Sequence, residues 1–337
     1  WCLFGGAQTR LFYGSFLMKK ATAWAPATTA NVNVGFDILG YSLASVGDLI
    51  TVEWDENTSG RDEIILKTLN NHTSISDQVL KNTASVSLLS MKNDLKLSGT
   101  FYLSIEKGIP VSAGLGGSAA SAVGSVVALN ALLEQPLTKT QLLKYALDGE
   151  QAVSGGRHKD NVVPCLMGGF NLVVPGVQPN QEDSIHPLPT PEGLASLLFT
   201  PDVAIKTSES RDQLNDNLPL KDHTKQLACS MLFMAGLYEN NHEKLRNSLQ
   251  DIIIEPQRGP TIPLYFEIKD YCLNQNGVVG FGISGSGSSV FIWLKNEKQL
   301  ISRISEEILT MFEQNKIKTQ HRLCEFDNEG AKIIGMS

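Results

Sequence analysis

The sequence predicts a chain of mixed strands and helices, α/β in class, divided into two domains. Its 337 residues exceed what one hydrophobic core usually serves. A strand-like run, with Phe101, Leu103 and Ile105 alternating onto one face, passes through a glycine- and serine-rich stretch, Lys107 to Ser121. It then continues into a small-residue, apolar segment over 119–133 that has the character of a buried helix. Strand and helix patterns follow one another from there to the C-terminal end.

Composition is that of an ordinary globular protein. The net charge of -7 and the lack of a basic run argue against a general nucleic-acid binder. No apolar stretch reaches the ~18–20 residues that cross a bilayer, so no membrane segment is expected. Cys2, Cys165, Cys229, Cys272 and Cys324 are scattered and odd in number, without a Cys-x-x-Cys pair. That pattern suits reduced thiols in the cytoplasm better than a disulfide frame or a zinc site.

In chain order, residues 1–17 show no period and do not begin with Met, whereas Met18-Lys19-Lys20 looks like a natural start. Residues 1–17 are therefore expected to be an upstream extension, without the features of a signal peptide. In the run from Trp24 to Gly40, Pro26 and Gly35 interrupt an extended pattern, and polar Asn31 and Asp37 sit among apolar residues. A loop whose Asn and Asp bond their own backbone is one reading, and a substrate loop is the other. Residues 49–54 and 63–69 have strand character. Residues 77–91 read as a helix, on which Asn82 is expected to be exposed.

Pro136 ends the buried helix, and Thr138 with Gln141 forms a capping box that opens the next. On that helix Glu150 shares a face with Leu143, Ala146 and Leu147. A carboxylate on an apolar face needs a partner, because burying it alone costs several kcal/mol. A structural cation or N–H and a divalent metal ion are both open as that partner. Residues 171–174 read as a strand near the expected domain boundary, and 175–191 as a Pro-rich surface loop. Further strands are expected at 197–205, 290–294, 318–326 and 332–334, and helices at 223–239, 242–253, 260–273 and 297–313.

A glycine loop between strand and helix lets backbone N–H groups approach an anion, and the helix N-terminus adds partial positive charge there. A tight turn without a ligand is the plain alternative. The loop is neither a Walker A motif, since no Lys follows the glycines, nor a dinucleotide fingerprint, whose glycine spacing differs. It resembles the phosphate loop of the GHMP kinases, Pro-x-x-x-Gly-Leu-Gly-Ser-Ser-x-Ala, through Pro110, Gly114, Leu115, Gly116, Ser118 and Ala120. Gly117 replaces the first serine. The residues from Gly280 through Ser284, Gly285 and Gly287 to Ser289 are similar to a further GHMP motif that supports this loop.

Four other stretches resemble the homoserine kinases within that superfamily. They are Pro26 to Asp37, His158 with Asp160 and Asn161, Thr207 with Arg211, and Glu255-Pro256-Gln257-Arg258. The first lacks one of the motif's paired glycines, at Asn33. The resemblance runs from Met18 nearly to the C-terminal end, in family order.

The resemblance implies the GHMP kinase fold, α/β plus α+β. An N-terminal ATP-binding domain over 18–170 would be like domain 2 of ribosomal protein S5, and a C-terminal domain over 171–337 would be ferredoxin-like. It implies ATP-dependent phosphorylation of the L-homoserine hydroxyl, a step of threonine biosynthesis, by a cytoplasmic enzyme. Pro110, Val111, Ser112, Ala113, Gly114, Leu115, Gly116, Gly117, Ser118, Ala119 and Ala120 would bind the ATP phosphates, and Ser118 and Glu150 would hold Mg²⁺. Asn31, Asp37, His158 and Asp160 would bind the amino and hydroxyl end of the substrate. Arg211 and Arg258 would take its carboxylate, and Asn161, Thr207 and Arg258 would be catalytic. Lys107 is left between a phosphate contact and a solvated side chain. The partners implied are L-homoserine and ATP, with a homodimer suggested and neither nucleic acid nor membrane. Another small-molecule GHMP kinase, or a non-catalytic binding protein on the same fold, stands as the alternative.

Overall fold

The computed structural model describes residues 18–58, 63–69, 76–178, 181–203, 205, 207–215 and 217–337, without the side chains of 68, 69 and 207–209. The expected extension over 1–17 lies outside the described residues. The described residues begin with two long antiparallel strands, β1 (Lys19–Asn31) and β2 (Gly35–Asp55). The run from Trp24 to Gly40 is therefore not a loop but the ends of these strands. Pro26 is accommodated at a register shift, where a missing ladder donor costs least. Only the tight connection is irregular, with Asn31, Val32 and Asn33 at φ of 72, 47 and 59°. Asn takes such angles readily, but β-branched Val32 does not. The turn is held from outside: Asn33 Nδ2 donates to Leu249 O at 3.0 Å and to Phe281 O at 2.7 Å.

β3 (Ile64–Leu69), α1 (Thr83–Asp94) and β4 (Thr100–Glu106) follow. The expected helix over 77–91 begins later, at Thr83, because Asn82 caps it. The Asn82 Oδ1 accepts from Ala84 N at 3.0 Å and Ser85 N at 3.3 Å, and the residue is buried rather than exposed. α2 (Gly117–Ala131), α3 (Lys139–Ser154) and α4 (Lys159–Met167) come next. The Thr138–Gln141 capping box forms as expected. α2 lies against β1 and β2, with α1 and α3 packed on it.

β5 (Phe170–Val174) and β6 (Ser184–Leu188) extend this first sheet, so 175–191 is not all loop. Pro187 is tolerated because β6 pairs with β5 alone. The sheet order is β11-β1-β2-β4-β3, with β5 on β2; β11 is Lys332–Met336, returning from the end of the chain. Sheet membership thus does not follow the expected division at 170/171.

The second sheet contains β7 (Leu194–Pro201), β8 (Val278–Ile283), β9 (Val290–Lys295) and β10 (Thr319–Cys324). Among the described residues between β7 and β8 lie the α-helices α5 (Thr207–Asp212), α6 (Leu220–Tyr238), α7 (His242–Ser248), α8 (Glu255–Arg258) and α9 (Tyr265–Leu273). α10 (Lys298–Gln314) joins β9 to β10 and buries Leu300, Ile304, Ile308 and Phe312 at four-residue spacing. The antiparallel order β10-β7-β9-β8 is the split βαβ pattern of a ferredoxin-like layer. Buried side chains lock the halves together. Trp293 Nε1 donates to the Tyr41 hydroxyl at 3.0 Å, which also pairs with Ser196 Oγ at 3.0 Å. Among the described residues no helix is long and apolar enough to cross a membrane.

Candidate active site

One cleft gathers most of the residues singled out by sequence. Its lining includes Pro110 to Ser118, together with Asn31, Asp37, Glu150, His158, Asp160, Asn161, Arg211 and Arg258. At one end lies the glycine loop between β4 and α2. Gly114 and Gly116 hold φ of 74 and 66°, and a Cβ on Gly114 would come within 2.3 Å of Ser284 O. Ser284 Oγ donates to Gly114 O at 2.8 Å, Ser289 N to Ala113 O at 3.0 Å, and Thr28 N to Leu115 O at 3.1 Å. The 280–289 stretch therefore braces the loop, as expected from the motif.

Gly116 caps α2, and the first N–H paired back along this turn is that of Ala120, to Gly116 O at 2.9 Å. Helix geometry leaves the N–H groups of Gly117, Ser118 and Ala119 without helical acceptors, at the positive end of the helix dipole. Ala119 and Ala120 are fully buried and do not line the cleft. The N–H of Ala120 is already spent on Gly116.

Lys107 is buried at this end, so it is not a solvated side chain. It forms an ion pair with Asp48 and donates to Gly117 O at 2.8 Å and to Ser121 Oγ at 3.2 Å. Asp48 Oδ1 accepts from Gly108 N and Ile109 N, both at 3.1 Å. Burial pushes the Asp48 carboxyl up, against the pull of Lys107 and these two N–H groups. Sequence reasoning missed Asp48. Its signal was a carboxylate at an even spacing between apolar Val46 and Ile50, on the buried face of the strand.

Glu150, which also lines the cleft, is 1% exposed. Its Oε1 accepts from Ser118 Oγ at 2.9 Å and Ser154 Oγ at 3.0 Å, and His158 Nδ1 lies 3.0 Å away. The Glu150 hydrogen bond raises the His158 pKa. Glu150 Oε2 is buried and makes no hydrogen bond. No Lys or Arg pairs with Glu150 among the described residues; its ion-pair partner is His158. An orphaned carboxylate oxygen beside a serine hydroxyl and a phosphate loop fits a hard divalent cation that keeps much of its water. Among the described residues no three His, Cys, Asp or Glu side chains are grouped to hold a metal by themselves. A cation here would therefore depend on phosphate oxygens and water as well.

The cleft is also lined by charged groups. Arg211 donates through both terminal nitrogens to the Asp37 carboxylate, each at 2.8 Å. Arg258, from α8, is 3% exposed; one terminal nitrogen donates to Gly285 O at 3.1 Å, and its buried Nε makes no hydrogen bond. Asn31 Nδ2 donates to the same carbonyl at 2.8 Å, and its Oδ1 accepts from Asp37 N at 3.0 Å. Burial, with Asp37 nearby, pushes the Asp160 carboxyl up to about 6. Asn161 Oδ1 accepts from Thr28 Oγ1 at 2.8 Å. The Thr207 side chain lies outside the described residues.

A braced phosphate-type loop, a carboxylate with an orphaned oxygen and two arginines in one cleft are the makings of a small-molecule kinase of the GHMP class. The family model for the GHMP kinases N terminal domain matches residues 80–169, and that for the GHMP kinases C terminal matches 233–308. The chain is 41% identical over 276 residues to a homoserine kinase of Xylella fastidiosa strain 9a5c, covering 82% of each. It is 31% identical over 326 residues to a homoserine kinase of Chloroherpeton thalassium, covering 94% of this chain and 100% of the relative. A solved homoserine kinase structure from Cytophaga hutchinsonii superposes with a TM-score of 0.86 at 29% identity, covering 99% of this chain and 100% of that one. A mevalonate kinase shares the fold at a TM-score of 0.68 and 15% identity. The chain belongs to the homoserine kinase family of the GHMP kinases.

Proposed function

We infer that the chain is a homoserine kinase, transferring the γ-phosphoryl group of ATP to the side-chain hydroxyl of L-homoserine. The observation that carries this reading is the charge layout of one cleft. The glycine loop and α2 N-terminus share that cleft with two guanidinium groups, Arg211 and Arg258, and two carboxylates, Asp37 and Asp160. A zwitterionic amino acid with a hydroxyl on a short chain matches that layout, and a sugar or an uncharged alcohol does not.

Phosphoryl transfer asks mainly for positioning and charge neutralisation. The loop from Pro110, with the N–H groups at the start of α2, would cradle the ATP phosphates. Ser118 and Glu150 would hold Mg²⁺, which neutralises phosphate charge when bound. Asp37, Asp160, His158 and Asn31 would take the amino and hydroxyl end of homoserine. Arg258 and Arg211 would take the carboxylate, with the substrate replacing Asp37 on the Arg211 fork. Asn161, oriented by Thr28, would lie beside the transferred group with Thr207. A homodimer in the cytoplasm accords with the family resemblance, and analytical ultracentrifugation tests the first part.

The deciding experiment measures ADP release with L-homoserine, mevalonate, galactose and shikimate side by side. Turnover with homoserine alone is expected. Preference for any of the others, or ATP turnover indifferent to all four, would overturn the assignment.

A further inference from the structure

The Phe36 ring has both cleft arginines within reach. The guanidinium carbon of Arg258 lies 5.2 Å from its ring centroid and that of Arg211 lies 5.6 Å from it. Both fall within the ~6 Å range in which an aromatic face attracts a cation. Local backbone geometry brings this about. Along a regular strand, neighbouring side chains point to opposite faces. Asp37 instead has a φ of 61°, fixed by the bond from its N–H to Asn31 Oδ1. Phe36 and Asp37 therefore reach the same guanidinium, one by its ring and the other by its carboxylate. The two arginines repel each other, and Arg211 adds to the lowering of the Arg258 pKa by burial. Arg258 forms no ion pair among the described residues; it donates to the Gly285 carbonyl, and Asp37, Asp251 and Asp160 offset the lowering only in part.

We propose that Phe36 is a positioning residue for carboxylate recognition: its ring spaces the Arg211 and Arg258 guanidinia and holds them aimed at one substrate carboxylate. The proposal rests on the homoserine reading of the cleft. An aromatic ring suits this place because it supplies attraction to two cations without a charge that would compete with the substrate for them. An aliphatic side chain of similar volume would fill the space without that attraction, leaving Arg211 to the Asp37 carboxylate and Arg258 to the Gly285 carbonyl.

The test compares Phe36→Leu and Phe36→Tyr with wild type, with melting temperatures taken first to confirm folding. Phe36→Leu should raise KM for L-homoserine roughly tenfold and leave kcat and the KM for ATP within about twofold. Phe36→Tyr, which keeps the ring face, should behave as wild type. On 3-aminobutan-1-ol, which lacks the carboxylate, Phe36→Leu should add no loss. A second readout is independent of substrate: phenylglyoxal labelling of Arg211 and Arg258, followed by mass spectrometry, should be faster in Phe36→Leu than in wild type or Phe36→Tyr. An unchanged homoserine KM in Phe36→Leu, or equal impairment by Leu and Tyr, would overturn the proposal, as would a parallel loss of ATP affinity. If wild type fails to phosphorylate homoserine, the functional reading falls and the labelling rates alone decide this proposal: faster labelling in Phe36→Leu sustains it and equal rates end it.

Discussion

Asp37 and Arg211 face each other as a bidentate pair, carboxylate to guanidinium, with both contacts at 2.8 Å. They come from β2 and α5, 174 residues apart in the chain, and both side chains are partly exposed. On the proposed function, a substrate carboxylate arriving at Arg211 would compete with Asp37 and free it for the substrate ammonium. Arg211→Lys and Arg258→Lys should each lower kcat/KM for L-homoserine by about 10- to 150-fold. That range corresponds to the ~1.5–3 kcal/mol of a charge-assisted hydrogen bond. A point charge cannot reproduce the planar fork. Both variants should add little further loss on 3-aminobutan-1-ol, already a poor substrate. An equal drop on the two substrates would mean that the arginines act on ATP or on folding.

Glu150 offers Oε1 to three neighbours and leaves Oε2 unused. Glu150→Gln removes charge with little change in volume. It should cut kcat by at least roughly 100-fold, the upper end of what losing an outer-shell partner of a metal costs. Raising the Mg²⁺ concentration should restore part of the rate. Near-normal turnover at low Mg²⁺ would show that the carboxylate is structural.

Asp160 gives the site a pH dependence of definite sign. Its folded-state pKa is raised to about 6 by burial and by Asp37. It therefore contributes stability below about 4, where the unfolded chain is also protonated, and this is lost as pH rises through the folded-state value. Asp160→Asn should melt progressively higher relative to wild type between pH 4.5 and 7 on the order of these pKa values. In wild type, the KM for homoserine should rise as pH falls through the folded-state pKa, because a neutral carboxyl no longer attracts the ammonium. A melting difference independent of pH would refute this account.

Lys107 and Asp48 form a buried ion pair beneath the phosphate loop. Lys107→Met should destabilise the protein by roughly 3–5 kcal/mol, the cost of leaving a buried charge without its partner. It should also raise the KM for ATP, because Lys107 holds the Gly117 carbonyl at the start of α2. Adding Asp48→Asn should recover much of the lost stability in a denaturant titration. A double variant no more stable than Lys107→Met would remove the ion pair as the cause.

Local chemistry made much of the protein legible from its sequence. The glycine loop, the capping box of α3 and the alternation in β4 each rest on neighbours within a few residues. Glu150 stood out because an apolar helix face cannot hold a charge without a partner. The order of the motifs indicated the family, and the ferredoxin-like half followed from it. What lay outside that reach depended on contacts between distant segments. Residues 24–40 form strand ends and a turn because Asn33 is tied to Leu249 and Phe281, some 216 and 248 residues on. Lys107 is buried because Asp48 waits for it on the neighbouring strand. β6 forms because β5 offers it an edge. The partner of Arg211 and the ring that both arginines approach were also decided only by folding, because a charge's effect depends on what lies a few ångströms away, and sequence spacing does not encode that distance.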